Sequence, residues 1–232
     1  MPVTTSNSGC RRQPGFTMIE VLVTMVILMI GLLGIAGLMA QGQRSSFEAY
    51  QRQQALALAG DMAERVKANR PGVDTDSVTT TYAGALAVAT PAGAGTRYST
   101  LTTGSITNCL TTSCTTTDAV LYDAAVWDGL LSGGAAETDR TSGAALGPLL
   151  TPRGCVEQIA TSACPACGGP AASRQVTYRI SVAWQGNFST IAPAASQCGV
   201  DQYRDPRTGN VDNTYRRLVS VDVYTVIPCI CP

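Results

Sequence analysis

The sequence predicts an α+β fold in which a long N-terminal helix, apolar in its first half, is followed by a disulfide-containing head with a small antiparallel β-sheet packed on that helix. The stretch Val21–Ala40 has no charged residue and one polar side chain, Thr24. No proline interrupts the chain between Pro14 and Pro71. Two later segments alternate apolar and polar residues with the period of a β-strand.

The apolar stretch is long enough to span a membrane. Twenty helical residues rise about 30 Å, which is the thickness of a bilayer core. Arg11 and Arg12 precede the stretch, and the next basic residue is Arg44. The positive-inside rule therefore predicts a cytoplasmic N-terminus and an exported C-terminal part.

Glu20 distinguishes this segment from two simpler alternatives. An ordinary secretory signal has a shorter apolar core and a small-residue cleavage site, and Leu38-Met39-Ala40 fits such a site poorly. A plain signal anchor has no use for an acidic residue, which costs about 2.5–3.5 kcal/mol at the centre of a membrane helix and less near its edge.

The string Gly15-Phe16-Thr17-Met18-Ile19-Glu20 resembles the type IV prepilin signal. The resemblance implies that a prepilin peptidase cleaves between Gly15 and Phe16, that the new N-terminus at Phe16 is methylated, and that the apolar segment is retained. It also implies that Glu20 serves assembly by pairing with the Phe16 ammonium of a neighbouring subunit. Such a pair attracts strongly in a low-dielectric interior, and mispairing leaves a buried charge.

These features divide the chain into three parts. Residues 1–15 are expected to be a cleaved leader, residues 16–70 a long helix with 16–40 in the membrane, and residues 71–232 a periplasmic or extracellular head. The helix would extend roughly 80 Å, and Asn69-Arg70-Pro71-Gly72 supplies its stop signal.

The second half of the helix shows helical periodicity. One face is predicted to carry the apolar residues Phe47, Tyr50, Ala55, Leu58, Met62 and Val66. Two acid-before-base pairs at i,i+4 spacing, Glu48–Arg52 and Asp61–Arg65, are predicted on the wetter face.

The head is predicted to begin with a long surface connection over residues 73–117. Asp118 then caps a helix at Ala119–Leu131, which Gly133-Gly134 ends. Strands are predicted at Gly154–Ala160, Arg174–Trp184 and Arg216–Ile227, and the loop Asn187–Tyr215 joins the last two.

The chain has nine cysteines, of which Cys10 lies in the expected leader. The eight that remain are candidates for disulfides, because an even number in an exported domain is typical of oxidised pairs. They are Cys109, Cys114, Cys155, Cys164, Cys167, Cys198, Cys229 and Cys231. Eight cysteines allow 105 pairings, and the sequence does not choose among them. Cys109 and Cys114 are spaced to close a small loop.

Several head segments resemble the PilV family of minor pilins, the type IV pilus modification proteins. They are Leu58–Arg65 with Ala68–Arg70, the helix that contains Trp127, Val182–Gly186 and Arg216–Val219. A bond from Cys198 to Cys229 or Cys231 would be similar to the C-terminal disulfide loop of many pilins.

Composition argues against several other functions. Histidine is absent, which removes the commonest general base, and the zero net charge gives no basic surface for binding nucleic acid.

The motif Cys164-Pro165-Ala166-Cys167 is followed by Gly168-Gly169-Pro170, so the helix of a thioredoxin-type centre is not expected. Asp201, Asp205 and Asp212 share one loop and could bind calcium through oxygen ligands, but their spacing matches no EF-hand and solvated loop acids are the better interpretation. We therefore expect no enzyme, no cofactor and no metal.

The sequence thus predicts a minor type IV pilin that takes part in assembly, priming or modification of pili used for adhesion and twitching motility. Expected partners are the prepilin peptidase, other major and minor pilins, the pilus assembly platform and a tip adhesin. The expected location is the inner membrane of a Gram-negative bacterium and the assembled pilus. A type II secretion pseudopilin and a membrane-tethered redox or enzymatic domain are the alternatives.

Overall fold

The structure is a computed structural model that describes residues 15–69, 81–133, 147, 149–162 and 173–228. In chain order its elements are α1 (Met18–Ala68), α2 (Tyr82–Ala85), α3 (Thr96–Thr102), α4 (Thr116–Ser132), β1 (Arg153–Thr161), β2 (Ser173–Gln185), a short 3-10 helix at Asn213–Tyr215, and β3 (Arg216–Pro228). The predicted α+β class is confirmed. The chain forms two compact units, Met1–Phe47 and Glu48–Pro232.

Helix α1 is continuous, as the absence of proline predicts. Within the second unit it buries a stripe of mostly small side chains, namely Gln51, Ala55, Ala59, Met62, Ala63 and Val66. The predicted apolar face is partly wrong, because Tyr50 is 51% exposed and Leu58 is only half-buried. Gln51, Met62 and Val66 are buried together with the three alanines, so the buried face of the helix is displaced from the predicted one.

Only one of the two predicted ion pairs on α1 forms. Asp61 and Arg65 meet at 2.8 Å, as the i,i+4 spacing predicts. Glu48 instead accepts a hydrogen bond from the guanidinium of Arg217, 169 residues away in sequence, at 3.2 Å. The predicted Glu48–Arg52 pair is therefore wrong, since a tertiary partner takes the carboxylate.

The sheet is antiparallel with the order β1-β2-β3, so β2 is central. Its three strands confirm the three predicted segments, and five of their six ends are extended by one residue while the start of β3 is unchanged. The alternating residues Val176, Tyr178, Ile180, Val182 and Trp184 of β2 are all buried, as the period-2 pattern predicts. The register of β1 shifts between Gln158 and Ala160, which marks a bulge.

Helix α4 contributes the largest buried side chain of the head, Trp127. Its indole Nε1 donates a hydrogen bond to the carbonyl oxygen of Leu58 at 2.8 Å and so ties α4 to α1. Strand β1 approaches the indole so closely that a Cβ at Gly154 would lie 2.5 Å from Trp127 Cη2. Glycine at position 154 is therefore a packing requirement.

The start of α4 differs from the prediction by one turn. Thr115 is the N-cap, and its hydroxyl accepts the amide hydrogen of Asp118 at 3.2 Å. The Asp118 carboxylate in return accepts from the Thr115 amide, which completes a capping box. Asp118 is thus the third helical residue and not the cap.

The prediction of a surface connection is wrong for residues 82–102, whereas residues 103–115 are exposed or half-buried and form no helix or strand. Tyr82, Leu86 and Ala92 are fully buried, and α2 and α3 lie within this segment. The two helices have four and seven residues, which is too short for a periodic pattern to reveal them.

A buried carboxylate organises the same segment. Asp128 on α4 is 1% exposed and accepts four backbone N–H groups at distances of 2.5–3.1 Å. The donors are the amides of Gly93, Gly95, Arg97 and Tyr98. Because α3 has no side-chain cap of its own, Asp128 supplies from α4 the acceptor that the first turn of α3 needs.

Candidate assembly site and the head contacts

The residues of the prepilin-like string lie at the start of α1. Gly15–Thr17 is not helical, and Phe16 is 84% exposed. The helix begins at Met18, and the amide of Glu20 donates to the carbonyl oxygen of Thr17 at 3.1 Å. The Gly15–Phe16 peptide bond is therefore exposed and outside the helix, whereas Glu20 lies in the first helical turn.

Phe16 and Glu20 face the same side of the chain. Together with Val21 and Thr24 they line a shallow depression at the helix start. A carboxylate in the first turn is favoured by the partial positive charge of a helix N-terminus. Glu20 is exposed, so its carboxylate is accessible to a cation from outside the chain.

The first unit buries none of its apolar side chains. Every described residue from Gly15 to Phe47 is exposed. The most apolar 18-residue window of α1 has a mean hydropathy of 2.7 and is 0% buried. A helix segment of this length and hydropathy can cross a membrane, and its exposed apolar surface supports anchoring there.

Two disulfides are present among the described cysteines. Cys109 and Cys114 close the small loop that their spacing predicts. Cys155 on β1 bonds to Cys198 in the loop 187–215. The predicted bond from Cys198 to Cys229 or Cys231 is therefore wrong, because the loop folds across the sheet and brings Cys198 to β1. Of the remaining candidates, Cys164, Cys167, Cys229 and Cys231 lie outside the described residues.

A buried arginine holds the same loop. Arg216, at the start of β3, is 3% exposed and donates to the carbonyl oxygens of Pro193, Ser196 and Cys198 at 2.5, 2.8 and 2.8 Å. Burial lowers the pKa of this guanidinium and raises the pKa of the Tyr203 hydroxyl, which is fully buried in the same loop. Sequence reasoning missed this anchor, since an arginine at the first residue of a strand carries no signal of burial.

The three aspartates that the sequence offers as candidate calcium ligands accept hydrogen bonds in separate turns. Asp201 accepts from the Asn213 side chain at 2.8 Å, Asp205 accepts from the Arg207 amide at 2.9 Å, and Asp212 caps the 3-10 helix. Within the described part of the chain, no cluster of three or more acidic, cysteine or histidine side chains could hold a metal ion. The structure therefore does not bring these three carboxylates together.

The segments that resemble PilV meet in the head and serve packing. Trp127 bonds to Leu58, as described above. The guanidinium of Arg217 lies over the ring of Phe188, 5.2 Å from the ring centroid. A Cβ at Gly186 would lie 2.6 Å from Cζ of Arg217. These segments therefore form one set of contacts that joins α1, α4 and the sheet.

The comparisons with known proteins agree with the geometry of the helix start. Residues 10–36 match the family model of the prokaryotic N-terminal methylation motif. No curated protein and no solved structure gives a significant match to the chain. The chain carries a prepilin-type signal, which supports a type IV pilin-like protein.

This signal has consequences for processing and location. It implies cleavage by a prepilin peptidase and association with other pilins. With the apolar α1 segment, it supports anchoring in a membrane and association with a pilus.

Proposed function

We propose that this chain is a minor type IV pilin that is cleaved between Gly15 and Phe16, methylated at Phe16, and then assembled through the first half of α1. The observation that carries the proposal is the arrangement at the helix start. The scissile bond lies in an exposed, non-helical segment, as a protease needs, and Glu20 lies in the first helical turn on the side of Phe16. The retained helix then presents its uncovered apolar surface to the membrane or to neighbouring pilins.

The proposed assembly step is electrostatic. Cleavage creates an ammonium at Phe16, and an adjacent subunit offers the Glu20 carboxylate inside an apolar helix bundle. The pair is stabilising in that low-dielectric setting, whereas a subunit added out of register leaves both charges buried and unpaired. Glu20 therefore selects the axial position of a new subunit.

The remaining parts of the proposal concern location and partners. We propose a single-pass protein of the inner membrane of a Gram-negative bacterium, with residues 1–15 as a cytoplasmic leader and residues 71–232 as an exported head. Its partners are the prepilin peptidase, major and minor pilins, the assembly platform and a tip adhesin. The disulfide Cys155–Cys198 supports export, because such bonds persist in oxidising compartments.

The first test is the N-terminal mass of the protein after co-expression with a prepilin peptidase. We expect a chain that starts at N-methylated Phe16, and we expect Gly15→Val, which adds a branched side chain at the scissile bond, to block cleavage. Gly9→Val lies in the same leader and is the matched control that should be processed normally. An intact Met1, or a start near Gln41, contradicts the proposal.

The second test separates processing from assembly. Glu20→Gln keeps the size of the side chain and removes its charge, so cleavage should continue while the amount of the protein in sheared pili falls about tenfold or more. Glu20→Asp restores the charge and should recover part of the loss. Equal incorporation of the Gln variant would show that charge pairing is not the mechanism.

A type II secretion pseudopilin is the second candidate, because the membrane half would have the same features. Deletion of the gene distinguishes the two. Loss of twitching with normal enzyme secretion supports the pilin, and the reverse result supports the pseudopilin.

A further inference from the structure

A cleft opens in the head between residues 88–94, which follow α2, and the loop 187–215. Its volume is about 510 Å³, within the range of about 300–1,000 Å³ that is usual for small-molecule sites. Three parts of the chain line it, namely residues between 88 and 94, the first residue of β1, and residues between 197 and 202 of the loop. None of the lining residues is acidic, and the one charged residue among them is Arg153. The cleft therefore presents a positive charge.

The guanidinium of Arg153 has one nitrogen fixed and two without a partner. Its Nη1 donates to the carbonyl oxygen of Pro152 at 2.7 Å and, more distantly, to that of Gly93 at 3.5 Å. In the part of the chain that the structure describes, no hydrogen bond uses Nε or Nη2, and no carboxylate forms an ion pair with this side chain. Because the bonds at Nη1 orient the guanidinium, Nε and Nη2 are left as a fork of two parallel donors, which is the geometry that a carboxylate binds.

A buried hydroxyl lies against the wall of the cleft. Tyr203 is fully buried, and its Oη has no hydrogen-bond partner among the described residues. Gly199 lines the cleft, and a Cβ at position 199 would lie 2.8 Å from that oxygen. Burial raises the pKa of the hydroxyl, and the charges of Arg153 and Arg216 oppose this rise. Two guanidinium groups therefore act on the same small region, which also contains a polar group that the described chain leaves unsatisfied.

The acidic side chains near this region have other partners. Arg216 is held by three carbonyl oxygens and not by a carboxylate. Asp201 lies between two lining residues of the loop in sequence but does not line the cleft, and its carboxylate accepts from the side chain of Asn213 at 2.8 Å. Glu157 accepts from the hydroxyl of Ser196. The charge balance at the cleft therefore favours an anionic ligand.

The neutral groups of the cleft indicate what accompanies the anionic group. Gln197 and Gln202 are exposed, and their side-chain amides make no hydrogen bond to any described residue. An amide both donates and accepts hydrogen bonds, as a hydroxyl does. Val88, Pro91 and Val200 are only half-buried, so they form an open apolar wall that does not enclose an apolar side chain. This combination matches a sugar ring, which has hydroxyl groups at its edge and C–H groups on its faces.

We propose that the cleft binds a sugar acid of the uronate type, in which a carboxylate is attached to a ring that carries hydroxyl groups. Nε and Nη2 of Arg153 bind the two carboxylate oxygens, and the amides of Gln197 and Gln202 bind ring hydroxyls. The ring lies on the apolar wall. This inference goes beyond the proposed pilin function and does not rest on it.

The first test is a calorimetric titration of the full chain, purified in detergent, with glucuronate. We expect weak binding with a dissociation constant of about 1 mM, because the ligand is small and the cleft is open. Glucose keeps the ring without the carboxylate, and N-acetylglycine keeps the carboxylate of a peptide end without the ring. Both should bind about tenfold more weakly or less.

Three results of this titration overturn the proposal. The first is the absence of glucuronate binding at concentrations well above millimolar. The second is an affinity for glucose equal to that for glucuronate, since the carboxylate would then have no role. The third is an equal affinity for N-acetylglycine, because the cleft would then recognise a carboxylate and not a sugar acid.

The second test locates the binding at Arg153. Arg153→Gln removes the charged fork and should weaken glucuronate binding about tenfold or more. Arg153→Lys keeps the charge without the two parallel donors, so its affinity should lie between those of the Gln variant and the unaltered chain. Arg207→Gln is the matched control, because Arg207 is an exposed arginine of the same loop that does not line the cleft. Thermal melting checks the folding of each variant.

An unchanged dissociation constant in Arg153→Gln overturns the proposal, since the ligand would then bind elsewhere. An equal loss in Arg207→Gln does so too, because binding would then follow the net charge and not the cleft.

The third test does not require replacement of Arg153. A double variant, Gln197→Ala with Gln202→Ala, changes only exposed side chains and should weaken glucuronate binding about threefold or more. In the unaltered protein, glucuronate should shift the backbone amide NMR signals of residues 88–90 and 199–202 more than any others. An unchanged affinity of the double variant, or the largest shifts outside these residues, overturns the proposal.

Discussion

The two units of this protein share one helix but differ in how that helix is buried. Residues of α1 in the first unit are exposed up to Phe47, whereas in the head the same helix places six side chains in the interior. The head covers its part of α1 with α4 and the sheet, and Trp127 bonds directly to Leu58. Among the described residues no element covers the apolar surface of the first unit, which supports burial of that surface by a membrane or by other subunits.

This difference predicts that substitutions in the head change the free energy of unfolding, while substitutions in the first unit change location and assembly. Four experiments test this difference.

Trp127→Ala should destabilise the head by about 3–5 kcal/mol, since it removes a fully buried indole and leaves a cavity. It also leaves the Leu58 carbonyl without its donor. Chemical denaturation of the full chain in detergent, followed by head fluorescence or circular dichroism, measures the loss. Leu28→Ala, in the exposed window of α1, is the control that should leave head stability unchanged. An equal loss in both variants would contradict the division into two independently buried regions.

Substitution of both Cys155 and Cys198 with alanine should lower the free energy of unfolding by about 4 kcal/mol. The reason is that the disulfide closes a loop with a sequence separation of 43 and so reduces the chain entropy of the unfolded state. The Cys109–Cys114 bond closes a separation of only 5, and its removal should cost about 2 kcal/mol. Paired denaturation curves of the two double variants give the difference. Similar losses would mean that loop entropy does not control either contribution.

Leu28→Arg places a charge near the middle of the apolar segment and should disfavour membrane insertion by about 2.5–3.5 kcal/mol. The fraction of protein that resists carbonate extraction measures the effect. Leu28→Phe is the control of similar polarity. Normal membrane retention of the Arg variant would contradict the proposed span, and the melting temperature of the head should be the same in all three proteins.

The smallest effect concerns acid stability. Hydrogen bonds from Arg179 lower the pKa of Asp222. A carboxyl whose pKa is lower in the folded state contributes stability above its unfolded pKa of about 3.9, and that contribution is lost as the pH falls through the folded pKa. The pair is exposed to solvent, so its contribution is at most about 1 kcal/mol.

Asp222→Asn should therefore lower stability slightly at neutral pH and reduce its dependence on pH below 4. Denaturation midpoints measured between pH 7 and pH 2 provide the comparison. A variant whose acid dependence equals that of the unaltered chain would show that this pair does not contribute.

The elements that the sequence predicted well have a strong and local signal. The apolar run, the absence of proline and the period-2 pattern of Val176–Trp184 each act within one element, and the structure contains α1 and β2 at those positions. The helix around Trp127 was also expected, although Thr115 rather than Asp118 caps it.

The features that escaped prediction depend on contacts distant in sequence. Asp128 receives amides that lie 30–35 residues away, and Glu48 is paired with Arg217 rather than with the nearer Arg52. The partner of Cys198 was likewise decided by where the loop crosses the sheet. No spacing rule encodes such a choice, because it depends on the packing of whole elements. At the helix start, by contrast, the Gly15–Glu20 string indicated the candidate site from sequence alone.

The loop 187–215 is held by interior bonds, and this determines which of its positions can be substituted without loss of its structure. Its structure depends on interior groups, namely the bond from Cys198 and the carbonyls gathered by Arg216. Solvent-facing positions such as Ile191, which is 93% exposed, carry none of these bonds through their side chains. Substitutions at such outward positions can therefore change the outer surface of the loop while the interior bonds beneath it remain.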